Sequence, residues 1–295
     1  MKPVTLYYLV LVLMGAAWGA VFPLAKVAVS TGYKPFGILV WQMLIGLLMA
    51  GILTVLRGRR PTLARRYFAL FLGIALLGTV VPNWFSYTAA SELPAGVISV
   101  IIALVPLFAM PVALMLGFEK LSVIRLFGTL CGAVAVVLLI GPDTSLPEGT
   151  KVIYVLVAAV APFLYGCEGN FLTWYGARGL DALQILFGAS MIGLVLAVPL
   201  ALGSGQFISP LHPWNAADWA ILWSSIINWS AYAGYVWLIG KAGPVFSAQV
   251  AYLVTLFGVL ISALFLGETY SWFVWMAMAL MLLGIFLVQP RDKAA

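Results

Sequence analysis

Apolar residues fill this chain in long runs, which are interrupted only by short polar, Gly-containing or Pro-containing segments. A helix that crosses a membrane needs about 20 mostly apolar residues. Ten runs are of this length, and they cover residues 7–30, 36–56, 67–90, 94–117, 121–141, 152–176, 182–202, 216–240, 244–266 and 271–288. The pattern predicts an all-α integral membrane protein with ten transmembrane helices. The connecting loops are too short to form a separate soluble domain.

The composition supports a membrane location. Of the 295 residues, 64% are apolar and only 8% are charged, whereas a soluble protein is about 45–50% apolar and about 25% charged. Surface-to-volume scaling limits how much apolar side chain a soluble fold can bury. A soluble enzyme, a nucleic-acid-binding module and a disordered chain are therefore excluded, and membrane lipid is the expected surrounding of most of the surface.

The basic residues predict the orientation. If the N-terminus is cytoplasmic, twelve of the fifteen Lys and Arg residues lie on the inner side, and only Lys34 and Lys151 lie on the outer side. The remaining one, Lys26, lies within the first helix. Short cytoplasmic loops carry an excess of Lys and Arg, so both termini are expected to be cytoplasmic.

The two halves of the chain resemble each other. Trp18-Gly19 matches Tyr165-Gly166 at a shift of 147 residues, and residues 104–108 match residues 253–257 at a shift of 149. Each copy contains five predicted helices. Because five is odd, the second copy must cross the membrane in the opposite direction.

We therefore expect two inverted five-helix repeats, residues 1–146 and 147–295, which form one membrane domain. Inverted repeats are typical of secondary transporters, in which the substrate site lies near the membrane midplane between the copies.

Several motifs carry a family resemblance over essentially the whole chain. They are Trp18-Gly19 with Phe22 and Lys26, Leu116-Gly117-Phe118-Glu119, and Leu266-Gly267-Glu268. The sequence resembles the EamA-type members of the drug/metabolite transporter superfamily, and among them it is most similar to the YddG-type aromatic amino-acid exporters. The resemblance implies efflux of amino acids from the cytoplasm across a bacterial inner membrane. Phe118 departs from the family pattern because it is inserted between Gly and Glu.

Polar residues on the third and eighth helices predict a cavity. Thr79, Asn83 and Ser86 share one helical face by their spacing, and the shift of 149 carries them onto Asn228, Tyr232 and Tyr235. Lipid-facing polar groups are costly, so both faces should point inward. They line a cavity or only join helices by hydrogen bonds. Helices 4 and 9 show a weaker version of the pattern through Ser99 and Tyr252.

Two charged residues, Lys26 and Glu168, clearly lie at depth within the predicted helices. Glu168 lies about two turns from the inner end of the sixth helix. It either binds a substrate ammonium group or carries a proton, or it is a neutral, hydrogen-bonded structural acid. Lys26 lies near the outer end of the first helix, where it can reach the interface.

Deep aromatic residues suggest the kind of substrate. An apolar aromatic cavity with few polar groups suits a small amphipathic molecule, whereas phosphate recognition uses Arg or several Lys residues. The predicted cavity residues are Trp18, Phe22, Thr79, Asn83, Trp84, Tyr87, Ser99, Tyr165, Glu168, Asn228, Tyr232 and Tyr252.

Proline residues within the helical runs mark candidate hinges, because each removes a backbone hydrogen bond and bends its helix. These are Pro23, Pro82, Pro106, Pro111 and Pro162. They act as gates or as passive kinks.

The sequence argues against an enzyme. Its single histidine, His212, lies in a predicted outer loop, and Cys131 and Cys167 lie in apolar runs. One histidine in a loop cannot supply a catalytic Ser–His pair or a His-based metal centre within the membrane. Catalysis by a pair of acids needs two carboxyl groups in one site, and Glu168 is the only acid at depth. No cofactor and no metal is expected.

The most specific prediction is a monomeric secondary transporter that exports amino acids, aromatic and other neutral or apolar ones, by alternating access. The alternatives are an exporter of drugs or other metabolites, and a channel or facilitator. A channel usually shows rings of charge or a carbonyl filter, and the sequence shows neither.

Overall fold

A computed structural model of the chain describes residues 3–118, 120, 122–140, 153–243, 246–247 and 249–287. Glu119 of the fourth-helix motif, Lys151 in the predicted outer loop, and Lys2, Arg291 and Lys293 near the termini lie outside the described residues.

Ten helical segments follow one another in the described part of the chain, and we number them spans 1 to 10. Six of them, spans 1 to 4, 6 and 7, are long and apolar enough to cross a membrane. The segments are span 1 (Pro3–Ser30), span 2 (Pro35–Leu56), span 3 (Arg65–Ala90), span 4 (Ala95–Met115), span 5 (Val123–Ile140), span 6 (Ile153–Tyr175), span 7 (Ala182–Gly203), span 8 (Ala216–Ala242), span 9 (Val250–Leu266) and span 10 (Trp272–Leu287).

No β-strand occurs among these residues. The predicted fold class, an all-α integral membrane protein with ten helices in two repeats, is confirmed.

Short sequence signals set the helix ends. Asp181 begins span 7 with a capping box, in which its carboxylate accepts a hydrogen bond from the Gln184 backbone N–H at 2.9 Å. Asn215 begins span 8 in the same way, together with Asp218. Span 9 ends at Gly267, whose φ of 67° is in the left-handed region that favours glycine.

Spans 3 and 4 of the first repeat are irregular helices. Span 3 contains a π-helical segment, Ala75–Val80, directly before the helix that holds Pro82 in its first turn. Span 4 contains a 3₁₀ segment, Ile102–Leu104, directly before the helix that begins with Val105-Pro106. Proline cannot donate a backbone hydrogen bond to the preceding turn, so the helix there rearranges.

The corresponding spans 8 and 9 are uninterrupted α-helices. The shift of 149 places Ala231 opposite Pro82 and Thr255 opposite Pro106, and both can donate. Pro23, Pro111 and Pro162 also lie inside continuous α-helices. Of the five predicted hinges, only Pro82 and Pro106 therefore follow a break in α-helical geometry.

The two repeats pack on each other reciprocally. Span 1 packs against spans 8 and 9 of the second repeat, and its counterpart, span 6, packs against spans 3 and 4 of the first. Spans 2 and 7 pack together, as do spans 5 and 10. This exchange is what a pseudo-twofold axis between inverted copies requires.

Repeat-related glycines allow the close approach of the helices. A Cβ atom on Gly19 would overlap Phe257 and Gly258, and a Cβ atom on Gly166 would lie 2.8 Å from the backbone nitrogen of Ala109. Ala109 corresponds to Gly258 at the shift of 149 residues. Small residues at helix contacts let backbones approach each other in membranes.

Candidate substrate cavity

A cavity lies between the two repeats. Spans 1, 2, 3, 4, 6, 8 and 9 contribute its walls, and the cavity volume is about 110 Å³. Its position at the repeat interface is the one that inverted symmetry favours for a shared substrate site.

Eight of the twelve predicted cavity residues line this space. They come from spans 1, 3, 6 and 8, and they are Trp18, Phe22, Asn83, Tyr87, Tyr165, Glu168, Asn228 and Tyr232. Ser86 and Tyr235, the remaining members of the two predicted polar faces apart from Thr79, also line it. The structure therefore brings most of the predicted set together.

Thr79 lies outside the cavity because span 3 is not α-helical at this point. Its hydroxyl donates a hydrogen bond to the Ala75 carbonyl at 2.9 Å. Gly78, the neighbouring residue in the π-helical segment, lines the cavity instead.

Trp84 and Ser99 also lie outside the cavity. The Trp84 ring is half-buried and stacks on Phe36, with 6.1 Å between the ring centroids. Ser99 is fully buried, and its hydroxyl donates to the Gly96 carbonyl at 2.7 Å. Both residues face a neighbouring helix and not the cavity. Their spacing in the sequence does not distinguish these two environments.

Tyr252 is the fourth predicted residue outside the cavity. Its side chain is only 1% exposed and packs with Ala135 of span 5 and Val259 of its own span. This large side chain therefore fills the contact between span 9 and spans 5 and 10.

Two hydrogen bonds cross the repeat interface between corresponding spans. The Trp18 indole N–H donates to Asn228 Oδ1 at 2.8 Å, and the Tyr165 hydroxyl donates to Asn83 Oδ1, also at 2.8 Å. Each bond joins an aromatic residue on the first span of one repeat to an asparagine on the third span of the other. The cavity wall thus contains two cross-links between the repeats.

Gln42 of span 2 is a central polar residue that the sequence analysis missed. Its side-chain oxygen accepts hydrogen bonds from Asn83 Nδ2 at 3.0 Å and from the Tyr87 hydroxyl at 3.1 Å. Its backbone carbonyl accepts from the Trp229 indole N–H at 2.8 Å. The available signal was a lone glutamine in an otherwise apolar stretch of span 2, since a buried polar group needs partners.

Glu168 is the acid of the cavity. It is 2% exposed, and its Oε1 accepts a hydrogen bond from the Tyr232 hydroxyl. Gly78 lies opposite this pair, and a Cβ atom there would lie 2.5 Å from the Tyr232 oxygen and 2.6 Å from the Glu168 carboxyl group. Glycine at position 78 therefore allows span 3 to approach the acid.

Lys26 does not line the cavity. Its ammonium group donates to the carbonyl oxygens of Ala90 at 2.8 Å and Leu93 at 2.9 Å, at the end of span 3. Next to this point, the Glu268 carboxylate accepts from the backbone N–H groups of Ala95 and Gly96, at 2.9 and 3.1 Å. A carboxylate at a helix N-terminus is favourable because it satisfies free donors.

This arrangement fastens the loop between spans 9 and 10 to the loop between spans 3 and 4. Tyr270 donates a hydrogen bond to Glu268. Burial, together with the neighbouring Glu268 carboxylate, raises the pKa of Tyr270, so its hydroxyl remains a donor.

A second contact joins the loop after span 1 to the loop before span 8. The Tyr33 hydroxyl donates to Asp218 Oδ1 at 2.9 Å and lies 3.2 Å from His212 Nε2. Partial burial and the Asp218 carboxylate raise the pKa of Tyr33. No group of three or more potential metal ligands occurs in the described part of the chain.

Comparison with known proteins identifies the family. The model of the EamA-like transporter family matches residues 5–141 and again residues 152–289. The chain belongs to the EamA-like transporter family. It is also 25% identical over 278 residues to the uncharacterized inner membrane transporter YedA of Escherichia coli (strain K12), with 92% of this chain and 86% of the relative covered.

One solved crystal structure of a protein shares the fold, with a TM-score of 0.66 at 17% sequence identity. The match covers 92% of this chain and 95% of the other.

The protein is therefore a multi-pass membrane transporter. Its cavity has a distinct electrostatic character, because Glu168 is its only ionisable acid and no Lys, Arg or His is among the described lining residues. The described wall thus offers no fixed positive charge to an anion.

Proposed function

We propose that this transporter exports amino acids, aromatic and other neutral or apolar ones, from the cytoplasm. The observation that carries the proposal is the composition of the cavity wall: aromatic rings and apolar side chains surround a few amide and hydroxyl groups and one acid. Such a wall matches a small molecule with an apolar side chain and a compact polar end.

The aromatic groups supply the apolar contact. Trp18, Phe22 and Tyr165 lie on the counterpart spans 1 and 6, which face the cavity from opposite repeats. Trp18 also packs edge-on against Tyr235, with 5.5 Å between the ring centroids. An aromatic substrate would add an offset or edge-on contact to such a cluster, worth about 0.5–1.5 kcal/mol beyond the buried area.

We further propose that transport occurs by alternating access. Span 1 packs against spans 8 and 9, and span 6 packs against spans 3 and 4. If the two repeats exchanged conformations, the cavity would open to the opposite side of the membrane. The irregular segments before Pro82 and Pro106 are the places where the first repeat would bend.

An exporter of cationic drugs is the second candidate, because Glu168 would also attract a cation without a carboxylate group. The test is uptake of radiolabelled amino acids and of an aromatic amine into liposomes that contain the purified protein. We expect saturable uptake of phenylalanine, tryptophan or leucine above that of protein-free liposomes. Uptake of the amine alone would contradict the proposal and favour the drug exporter.

A matched pair of variants identifies the cavity as the site. Trp18→Ala removes a wall residue, whereas Trp84→Phe changes a ring that lies outside the cavity. We expect the first to raise the substrate concentration for half-maximal uptake and the second to leave it unchanged.

A further inference from the structure

Gln42 has features that a purely structural glutamine would not need. Its side chain is 2% exposed, so its burial has a high cost unless its polar atoms are matched. Its side-chain oxygen accepts two hydrogen bonds, one from Asn83 and one from Tyr87. Its NH₂ group has no hydrogen-bond partner among the described residues, although Gln42 lines the cavity.

In this structure the Gln42 amide directs its oxygen at Asn83 and Tyr87. Asn83 Nδ2 and the Tyr87 hydroxyl both donate to Oε1, which leaves the NH₂ group as the free end of the amide. The wall therefore offers hydrogen-bond donors at this point, and it offers them to whatever occupies the cavity.

Asn228 and Ser86 supplement this donor group. The Asn228 oxygen is used by Trp18, which leaves its NH₂ group without a partner in the described part of the chain, and the same holds for the Ser86 hydroxyl. Trp229, the residue after Asn228, donates to the Gln42 backbone carbonyl, so spans 2 and 8 meet here.

Glu168 provides the opposite chemistry. Its Oε1 accepts from Tyr232, and its Oε2 has no partner among the described residues. It lies one turn along span 6 from Tyr165, which is linked through Asn83 to Gln42 by hydrogen bonds of 2.8 and 3.0 Å. The acid therefore lies one helical turn from this hydrogen-bonded chain, in the same cavity wall.

We infer that Gln42 is a specificity-determining residue that binds the carboxylate of the transported molecule, while Glu168 binds its ammonium group. The inference rests on the proposed amino-acid export and deepens it: the substrate must carry both charges. Both charged groups of a zwitterion lose their water on entering the membrane interior, so each needs a partner in the cavity wall. Amide and hydroxyl donors suffice for the carboxylate, as no basic side chain is among the described wall residues.

The experiment is inhibition of labelled phenylalanine uptake into liposomes by three related compounds. Unlabelled phenylalanine carries both charges, phenethylamine lacks the carboxylate, and 3-phenylpropionate lacks the ammonium group. With the unaltered protein, we expect each singly charged compound to inhibit at least about tenfold more weakly than phenylalanine, since a lost hydrogen bond to a charged group has this size of effect.

Gln42→Glu tests the assignment directly. It retains the oxygen that accepts from Asn83 and Tyr87 but replaces the NH₂ group by a second oxygen. We expect the preference for phenylalanine over phenethylamine to fall by about tenfold or more, while the preference over 3-phenylpropionate is kept. Glu168→Gln should show the opposite pattern and lose only the preference over 3-phenylpropionate.

Two further variants control for folding. Gln42→Met has a similar volume without either polar end, and we expect it to lose the preference over phenethylamine as well. Thr54→Val lies in the same span and removes only an internal hydrogen bond to Ala50, so both preferences should remain.

Equal weakening of all three compounds in Gln42→Glu and Gln42→Met would show that Gln42 only supports the wall, and would overturn the inference. If the unaltered protein takes up no amino acid, the proposed function fails instead. The two failures are therefore distinguishable.

Discussion

The indole N–H of Trp18 donates a 2.8 Å hydrogen bond to Asn228 Oδ1 and so joins the first span of one repeat to the third span of the other. The bond lies in the cavity wall, where a substrate would contact both residues. Because the bond between Tyr165 and Asn83 repeats this relationship, the two cross-links hold the repeats in a defined relative position.

The Trp18–Asn228 bond should be measurable as a coupling energy. Hydrogen bonds between membrane helices contribute about 0.6 kcal/mol on average and at most about 1.7 kcal/mol. We expect Trp18→Phe, Asn228→Leu and the double variant to show a coupling of this size in the free energy of unfolding in detergent. Strictly additive effects of the two changes would contradict the bond.

Gly78→Ala should impair transport severely. The added methyl group would overlap the Tyr232 hydroxyl and the Glu168 carboxyl group, and so would push span 3 away from the acid. Gly240→Ala is the matched control, since a Cβ atom there meets nothing within 4 Å. The control should keep transport and gain about 0.5–1 kcal/mol of stability from helix propensity. Equal transport by both variants would show that the close approach at Gly78 has no role.

Glu168→Gln separates a charge role from a structural one. If Glu168 binds a substrate ammonium group, the variant should take up phenylalanine more weakly. If Glu168 carries a proton, the remaining uptake should lose its dependence on pH between about pH 5 and pH 8. The measurement is initial uptake at several pH values, with and without an imposed proton gradient. Full transport with an unchanged pH profile would show that Glu168 is only a structural acid.

Glu268→Ala should destabilise the end of the bundle at which span 4 begins. The carboxylate caps the first turn of span 4 through Ala95 and Gly96, and losing a cap costs about 0.5–2 kcal/mol. Glu268→Gln keeps a neutral acceptor and should cost less. Thermal unfolding in detergent measures both, and equal unfolding temperatures for Ala, Gln and the unaltered residue would rule out the cap.

The orientation predicted from the basic residues places the loop before span 8 outside the cell. A cysteine introduced into residues 204–214, with Cys131 and Cys167 replaced, should react with a membrane-impermeant thiol reagent in intact cells. Reaction only after permeabilisation would reverse the predicted orientation.

The helical pattern could be predicted because membrane helices need continuous apolar stretches and satisfied backbones. The face formed by Asn228, Tyr232 and Tyr235 is where α-helical spacing places it, since span 8 is an uninterrupted α-helix. Thr79 does not lie where that spacing places it, because the π-helical segment before Pro82 changes the spacing. Pro82 indicates a bend, but not that the preceding turn is π-helical.

Gln42 shows a different limit of the sequence. A single polar residue has no periodicity, so its three hydrogen bonds depend on tertiary packing alone. Lys26 shows a similar limit: its place within span 1 was visible, but its two carbonyl partners at the end of span 3 were not. The same limit applies to three predicted cavity residues that contact neighbouring spans and do not line the cavity: Trp84, Ser99 and Tyr252. Such contacts depend on tertiary packing, which spacing in the sequence does not show.

Counterflow in liposomes is the most direct test of an alternating-access amino-acid exporter. Liposomes that contain the purified protein are loaded with unlabelled phenylalanine and diluted into a trace of labelled phenylalanine. The account predicts transient accumulation of label above its external concentration, which saturates with substrate and is lost in Gly78→Ala but not in Gly240→Ala. Label that only equilibrates, at a rate independent of the internal substrate, would indicate a channel and contradict the account.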